Sequence, residues 1–140
     1  LDSRGANLIA DGMLALLGRE LPAAVGGMAI GADPITAALI TVAGREGNRL
    51  RGFIVRKEAK QHGTGRDVEG PVQPGDTAYI VEDVVTTGGS SLAAIEKAEA
   101  FGLKICGVLA VIDRLEGGAE TLAERGYSLQ TLLTIRDFGL

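Results

Sequence analysis

One stretch, TAYIVEDVVTTGGSS at 77–91, limits what this chain can fold into more than any other. Its apolar and β-branched residues at 78–81 predict a buried strand. Glu82 and Asp83 then place two carboxylates at the end of that strand, and a polar turn of Thr, Gly and Ser follows at 86–91. A helix must come next if the strand belongs to an α/β domain, which this pattern favours.

The segment after the turn is predicted to be that helix. Residues 92–101 carry good helix formers with apolar residues at helical spacing, Ser90 or Ser91 can cap the start, and Gly102 can end it. The first backbone N–H groups of a helix lack intrahelical partners and lie at the positive end of its dipole. The turn therefore predicts a phosphate site. The two acids beside it predict contacts with hydroxyl groups or a metal ion, as in a phosphorylated sugar.

Two motifs in this chain resemble a known family. VEDVVTTGGS at 81–90 resembles the phosphoribosyl pyrophosphate signature of type I phosphoribosyltransferases, and RKEAKQHG at 56–63 resembles the mobile catalytic loop of orotate phosphoribosyltransferases. The resemblance implies a Rossmann-like α/β fold with a mostly parallel central sheet flanked by helices. It also implies magnesium-dependent transfer of ribose 5-phosphate from phosphoribosyl pyrophosphate to orotate, giving orotidine 5′-monophosphate and pyrophosphate in pyrimidine (UMP) biosynthesis.

The bulk properties of the chain suit one enzyme domain over 1–140. The 140 residues are 46% apolar and contain no repeat or second-domain linker. The net charge of −4 argues against nucleic-acid or membrane partners. No apolar run approaches the roughly 20 residues of a membrane span, so a cytoplasmic protein is expected. Cys106, the only cysteine, lies in an apolar run and is expected to be a buried strand residue.

A basic segment interrupts this acidic chain. The predicted strand at 50–55 leads into 56–70, RKEAKQHGTGRDVEG, which lacks a hydrophobic face and is predicted to be a long loop that cannot pack on the core. A glycine-flanked loop with many cations suits a mobile lid over a polyphosphate. A solvated charged loop is the alternative. The segment contains four permanent cations and the only histidine, namely Arg56, Lys57, Lys60, Arg66 and His62.

The resemblance also implies roles for individual residues. Lys60, His62 and Asp83 are the predicted catalytic residues, with Lys60 or His62 protonating the departing pyrophosphate. Thr86 and Arg114 are the implied orotate contacts. Magnesium would bridge substrate oxygens largely through waters, so no side chain is predicted as a metal ligand. The implied contacts with phosphoribosyl pyrophosphate are Arg56, Lys57, Lys60, His62, Glu82, Asp83, Val84, Val85, Thr86, Thr87, Gly88, Gly89 and Ser90.

A second strand, loop and helix precede this unit. Residues 23–35, AAVGGMAIGADPI, predict a short strand, a glycine-containing loop, and a helix to about residue 42 with Asp33 as cap and Pro34 as first residue. The resemblance places the pyrophosphate-binding loop here, with Ile30 and Gly31 where many family members have a Tyr-Lys pair. A purely structural turn is the alternative. The glycines assigned to this loop are those at 26, 27 and 31.

The first helix is predicted to be scaffold. A helix at 4–17 is capped by Asp2 or Ser3. The resemblance implies a further segment before it, so the chain is expected to be a fragment. An apolar run at 104–112 predicts a parallel strand covered on both faces, and a short helix and a last strand follow it. The predicted buried face of the first helix consists of Leu8, Ile9, Met13, Leu16 and Leu17.

Three alternative functions stay open on the sequence alone. Another type I transferase, acting on a purine or uracil, would share the signature at 81–90, but RKEAKQHG and Arg114 argue against it. A non-catalytic binder of phosphoribosyl pyrophosphate would have no use for His62 and the cations near it. An inactive fragment is the third alternative. A homodimer that shares the 56–66 loop across subunits is implied by the resemblance only.

Overall fold

The computed structural model of the protein describes residues 2–58 and 66–139. Strands and helices alternate along these ranges, as predicted for an α/β domain. A short 3₁₀ helix, Ile135–Phe138, follows the last strand. The elements are α1 (Ser3–Leu17), β1 (Ala24–Met28), α2 (Asp33–Arg45), β2 (Arg51–Val55), β3 (Val68–Glu69), β4 (Thr77–Val85), α3 (Gly89–Phe101), β5 (Lys104–Asp113), α4 (Gly118–Glu124) and β6 (Leu129–Thr134).

The strands form one sheet in the order β3-β2-β1-β4-β5-β6. Every neighbouring pair is parallel except β2 and β3, which are antiparallel. The chain leaves β1 toward β2 and later returns to the other side of β1 with β4, so the winding direction changes between β1 and β4. In open α/β sheets, ligands bind outside the carboxyl ends of the strands at such a point.

Helices cover both faces of this sheet. The alternating side chains of β4 divide between the two faces, with Ile80 on one and Val81 on the other. Both faces of the central strands are therefore apolar, which explains their near-continuous apolar sequences. The face under α1 and α2 is centred on Met13, Val25, Leu39, Val81 and Leu109. The face under α3 and α4 is centred on Phe53, Ile80, Ile95, Val108 and Leu122.

Helix α1 begins as predicted but buries a narrower face. The Asp2 carboxylate accepts a hydrogen bond from the Gly5 N–H at 2.8 Å, which caps the helix. Leu8, however, is 64% exposed, so its assignment to the buried face was wrong. Successive helical residues are about 100° apart, and the stripe through Ile9 and Met13 that meets α2 and the sheet leaves Leu8 outside it.

Glycine, not serine, precedes α3. The cap position is Gly88, with φ of 93°, and no side chain caps the helix start. The prediction that Ser90 or Ser91 caps α3 was therefore wrong, because the Ser91 hydroxyl donates to Glu82 Oε1 instead, at 3.0 Å. Gly102, with φ of 117°, ends the helix as predicted.

Cys106 is exposed, which contradicts its predicted burial. Ala78 pairs with Ile105 and Tyr79 pairs with Gly107, so Cys106 is the extra residue of a bulge in β5. Pairing with β6 begins only at Val108, so Cys106 also lies on an open edge of the sheet. An apolar run cannot reveal a bulge, which explains the error.

The segment at 56–70 is partly built into the sheet. Val68 pairs with Val55 across the antiparallel β2–β3 edge and is only 3% exposed. The prediction that this whole segment stays off the core was wrong, because a single valine is enough to close the apolar end of β2. No helix within 2–58 and 66–139 is long and apolar enough to cross a membrane.

Candidate active site at the carboxyl edge of the sheet

Two of the three glycines assigned to the loop after β1 are strand residues. A Cβ on Gly26 would lie 2.2 Å from the Phe53 carbonyl oxygen, and one on Gly27 would lie 2.3 Å from the Val81 carbonyl oxygen. These glycines let β1 lie close to its neighbours, so their placement in the loop was wrong. Helix α2 also begins one residue earlier than predicted, with Ala32 at the cap and Asp33 as its first residue, and it extends to Arg45.

Gly31, the third glycine, brings the loop after β1 against Asp83. A Cβ on Gly31 would lie 3.2 Å from Asp83 Oδ2. The other oxygen, Oδ1, accepts a hydrogen bond from the Val84 N–H at 2.8 Å. The Asp83 side chain is exposed, and the Ala29–Ile30 peptide bond in the loop facing it is cis. The loop and the acid therefore border the same crevice.

Glu82 differs from Asp83 in its surroundings. It is only 6% exposed, because β4 continues to Val85 and carries this acid into the sheet interior. Burial raises the pKa of Glu82 above its usual 4.5; the hydrogen bond from Ser91 opposes this shift and the charge of Asp83 adds to it. The two predicted acids are thus one buried, hydrogen-bonded carboxyl and one open carboxylate.

The start of α3 has the properties of an anion site. No side chain caps the helix, and its first intrahelical hydrogen bond runs from the Leu92 N–H to the Gly88 carbonyl at 3.0 Å. The N–H groups before Leu92 have no partner within the helix, which favours an anion beside them. Thr86 and Thr87 are exposed next to this start and add hydroxyl groups.

A second helix start packs against the loop before α3. A Cβ on Gly118, the first residue of α4, would lie 2.4 Å from Val85 Cγ1 and 2.8 Å from the Thr86 carbonyl oxygen. One on Gly88 would lie 3.3 Å from the Gly118 backbone. Sequence reasoning missed this contact. The pair Gly117–Gly118 was its only signal, and paired glycines are common in ordinary turns.

Arg114 lies at the same edge of the sheet. Its N–H donates to the Val85 carbonyl at 3.0 Å, so it is adjacent to the loop at 86–88. Its exposed side chain forms an ion pair with Glu116 at 3.2 Å. Leu115 has φ of 59°, an uncommon conformation for leucine, and the buried Asp113 carboxylate supports it by accepting the Leu115 N–H at 2.9 Å. Gly31, Asp83 and Arg114 therefore lie at the same edge of the sheet.

Both ends of the basic segment lie beside these loops. Arg56 follows the last residue of β2, and its N–H donates to the Asp67 carbonyl at 2.7 Å. Its guanidinium donates to Glu69 at 2.6 Å, which raises the pKa of Arg56. Arg56 Nε is buried and has no hydrogen-bond partner among the described residues. Lys60 and His62, predicted to act in catalysis, lie outside the described residues.

Comparison with known proteins identifies the family. An orotate phosphoribosyltransferase of Rhodopirellula baltica is 58% identical over 146 residues, which span all of this chain and 76% of the relative. The chain belongs to the orotate phosphoribosyltransferase family. A crystal structure of Mycobacterium tuberculosis H37Rv orotate phosphoribosyltransferase with Fe(III) dicitrate is 36% identical, with a TM-score of 0.90 over 100% of this chain and 78% of that chain. The same enzyme with phosphoribosyl pyrophosphate is 33% identical, with a TM-score of 0.87 over 99% and 78%.

These similarities confirm the predicted fold and family. The sheet order and flanking helices are those of a type I phosphoribosyltransferase. No protein-family model matches the chain. The roles of individual residues remain predictions, and those of Lys60 and His62 rest on the family resemblance alone because both lie outside the described residues.

Proposed function

We propose that this chain transfers ribose 5-phosphate from phosphoribosyl pyrophosphate to orotate with the help of magnesium. One observation supports this proposal most. The open carboxylate of Asp83 lies against the Gly31 loop and shortly precedes the uncapped start of α3 in the chain, so a sugar could bind beside the proposed phosphate site. The Mycobacterium tuberculosis relative solved with phosphoribosyl pyrophosphate supports this choice of donor.

The reaction breaks the bond between C1 of the ribose and the pyrophosphate oxygen, and it forms a bond from C1 to an orotate nitrogen. Positive charge develops on the sugar and negative charge on the departing pyrophosphate. Asp83, with Glu82 behind it, would hold the ribose hydroxyls and favour the cationic sugar. Glu82 is buried and bonded to the Ser91 hydroxyl, so its carboxyl is held in a fixed position.

The loop from Thr86 to Ser90 would hold the 5′-phosphate of the donor. Its backbone N–H groups, the threonine hydroxyls and the dipole of α3 all favour a phosphate there. Val84 and Val85 precede this loop and position it, with Val85 buried against Gly118. Phosphate binding would therefore depend on the close contact between this loop and α4.

Gly118→Ala is expected to weaken donor binding. The new Cβ would clash with Val85 and with the Thr86 carbonyl, and the loop would have to shift. Overpacking of this kind costs about 1–3 kcal/mol, so we expect KM for phosphoribosyl pyrophosphate to rise roughly tenfold. Gly44→Ala is the control, since nothing lies within 4 Å of its Cβ position in α2. An unchanged KM in Gly118→Ala would show that the contact does not control the phosphate loop.

The remaining roles concern the leaving group and the acceptor. Arg56 and Lys57 would bind the pyrophosphate, and Lys60 or His62 would donate the proton that it takes up on leaving. Arg114, beside Val85, would bind the orotate carboxylate, with Thr86 nearby.

Magnesium fits the acids that are present. The described residues contain no group of three His, Cys, Asp or Glu side chains that could hold a metal by themselves. Magnesium commonly uses one or two carboxylates together with substrate phosphates and waters, and the exposed Asp83 carboxylate suits that arrangement. The ion would neutralise part of the pyrophosphate charge. The side chains named above would perform the binding and the proton transfer.

Removal of magnesium tests this part of the proposal. We expect orotate consumption to stop when EDTA is in excess and to recover fully when magnesium is added back beyond the chelator. The absorbance of orotate reports the reaction, and calcium added at the same concentration is a matched divalent control. Full activity in EDTA would contradict the proposed metal dependence and leave the transferase assignment in place.

We also propose that the protein is a cytoplasmic homodimer in which the 56–66 loop is shared across subunits. This proposal rests on the family resemblance of RKEAKQHG. Mixing two inactive variants, Lys60→Ala and Asp83→Asn, tests it. If the loop acts in the partner's site, mixed dimers contain one intact site and recover activity, whereas no recovery after subunit exchange would contradict sharing.

A further inference from the structure

Lys97, in the third turn of α3, contacts both ends of the basic segment. Its ammonium donates to the Arg56 carbonyl at 2.7 Å and to the Lys57 carbonyl at 2.5 Å. It also forms an ion pair with Asp67 at 3.8 Å. Lys97 is 40 residues away from Lys57 in sequence, and no family motif discussed above includes it.

These contacts use the bonding capacity of the ammonium group. A lysine has three N–H donors and no acceptor, and here two donors go to consecutive carbonyls and the third faces a carboxylate. The Arg56 and Lys57 carbonyls follow the end of β2, beyond the β2–β3 pairs, where backbone acceptors need other partners. The side chain of Lys97 is only 26% exposed, so this is a partly desolvated contact.

Lys97 connects two parts of the proposed site, the start of α3 and the first residues of the basic segment. Helix α3 begins at the proposed phosphate loop, and Lys97 extends from the same helix to the backbone of Arg56 and Lys57. The Arg56 N–H also donates to the Asp67 carbonyl, so the contacts at Lys97 join both sides of the segment to one rigid element. A shift of Arg56 or Lys57 relative to α3 would break them.

We propose that Lys97 is a positioning residue, which fixes Arg56 and Lys57 relative to the phosphate-binding start of α3. This inference rests on the proposed function, in which Arg56 and Lys57 bind the pyrophosphate. Contacts that position a leaving group are most valuable when its charge develops, so errors of placement lower kcat more than they raise KM. Lys97 itself need not touch either substrate.

A purely structural role for Lys97 predicts a different result. If the lysine only stabilised the fold, its loss would lower the melting temperature and leave kcat of the folded enzyme unchanged. Lys97→Met keeps the aliphatic stem and removes all three donors, and Lys97→Arg restores charge and donors. Lys104→Met is the control, since Lys104 is an exposed lysine at the first residue of β5, at the amino end of the strand.

The test measures kcat, KM for each substrate and the melting temperature of the four proteins, including wild type. We expect Lys97→Met to lower kcat at least tenfold, with less than threefold change in either KM. Lys97→Arg is expected to recover at least a third of wild-type kcat. Lys104→Met is expected to match wild type. If Lys97→Met is too unstable to purify, Lys97→Gln can replace it, because Gln keeps amide donors without charge. Lys97→Gln is also expected to lower kcat with little change in either KM.

The outcomes separate this inference from the proposed function. Turnover of orotate by wild type, with kcat unchanged in Lys97→Met or Lys97→Gln, would overturn the positioning role and leave the transferase assignment intact. A proportional rise in KM with constant kcat would also overturn it, because it would indicate ground-state binding. Absence of orotate turnover in the wild-type protein itself would remove the proposed function, and the inference with it.

Discussion

Asp83→Asn is expected to lower kcat/KM for phosphoribosyl pyrophosphate by about 10²–10³, a range typical for loss of one preorganised group that stabilises transition-state charge. Asn keeps the size of the side chain and can keep the hydrogen bond from the Val84 N–H through its oxygen. It removes only the negative charge that we propose favours the cationic sugar. Steady-state assays of orotate consumption at varied donor concentration measure the effect.

The stability of Asp83→Asn is expected to match wild type within about 1 kcal/mol, since the side chain is exposed. Asp11→Asn is the matched control, because Asp11 is an exposed acid on α1, remote from the sheet edge. Urea unfolding of both variants would show whether loss of activity follows from loss of fold. Wild-type kinetics in Asp83→Asn would remove this carboxylate from the mechanism.

Glu82→Gln is expected to stabilise the fold and to impair the reaction. Burial raises the pKa of Glu82, so its ionised form is less favourable in the folded protein than in the unfolded chain. Glutamine keeps an oxygen for the Ser91 hydroxyl and carries no charge. We expect the free energy of unfolding at neutral pH to rise and kcat/KM to fall at least roughly tenfold.

The difference in stability between Glu82→Gln and wild type is expected to depend on pH. With a folded-state pKa above 4.5, the stability that the protonated Glu82 contributes is fully present below pH 4.5 and is lost as pH rises through the folded-state pKa. The advantage of Glu82→Gln over wild type should therefore be small at acid pH and reach a plateau toward neutrality. Glu20→Gln, an exposed acid, should show no such trend. A variant less stable than wild type at neutral pH would contradict the proposed cost of burying this charge.

Asp83 and Glu82 were both predicted at the end of a strand, but the sequence did not show which of them is buried. Asp83 and Glu82 are adjacent, so strand alternation sends one into the crevice and the other inward. Which acid faces inward depends on how far β4 continues, and the polar residues after Val81 concealed that it runs to Val85. The sequence predicts Ser90 or Ser91 as a helix cap and gives no sign that the Ser91 hydroxyl binds Glu82.

Other features could be predicted because they are local. The Asp2 cap of α1, the Gly102 end of α3 and the apolar run of β5 each follow from neighbouring residues. Lys97 could not be found in this way, since its partners come from a distant part of the chain. The exposure of Cys106 and the burial of Val68 likewise depend on strand pairing rather than on local composition.

The most direct test of the central claim is an acceptor comparison with purified protein, magnesium and phosphoribosyl pyrophosphate. Orotate, adenine, hypoxanthine and uracil are supplied in parallel, and ultraviolet absorbance follows each base. We predict loss of orotate only, dependent on the donor and accompanied by equal amounts of orotidine 5′-monophosphate and pyrophosphate. Consumption of another base in preference to orotate, or donor binding by calorimetry without turnover of any base, would contradict it.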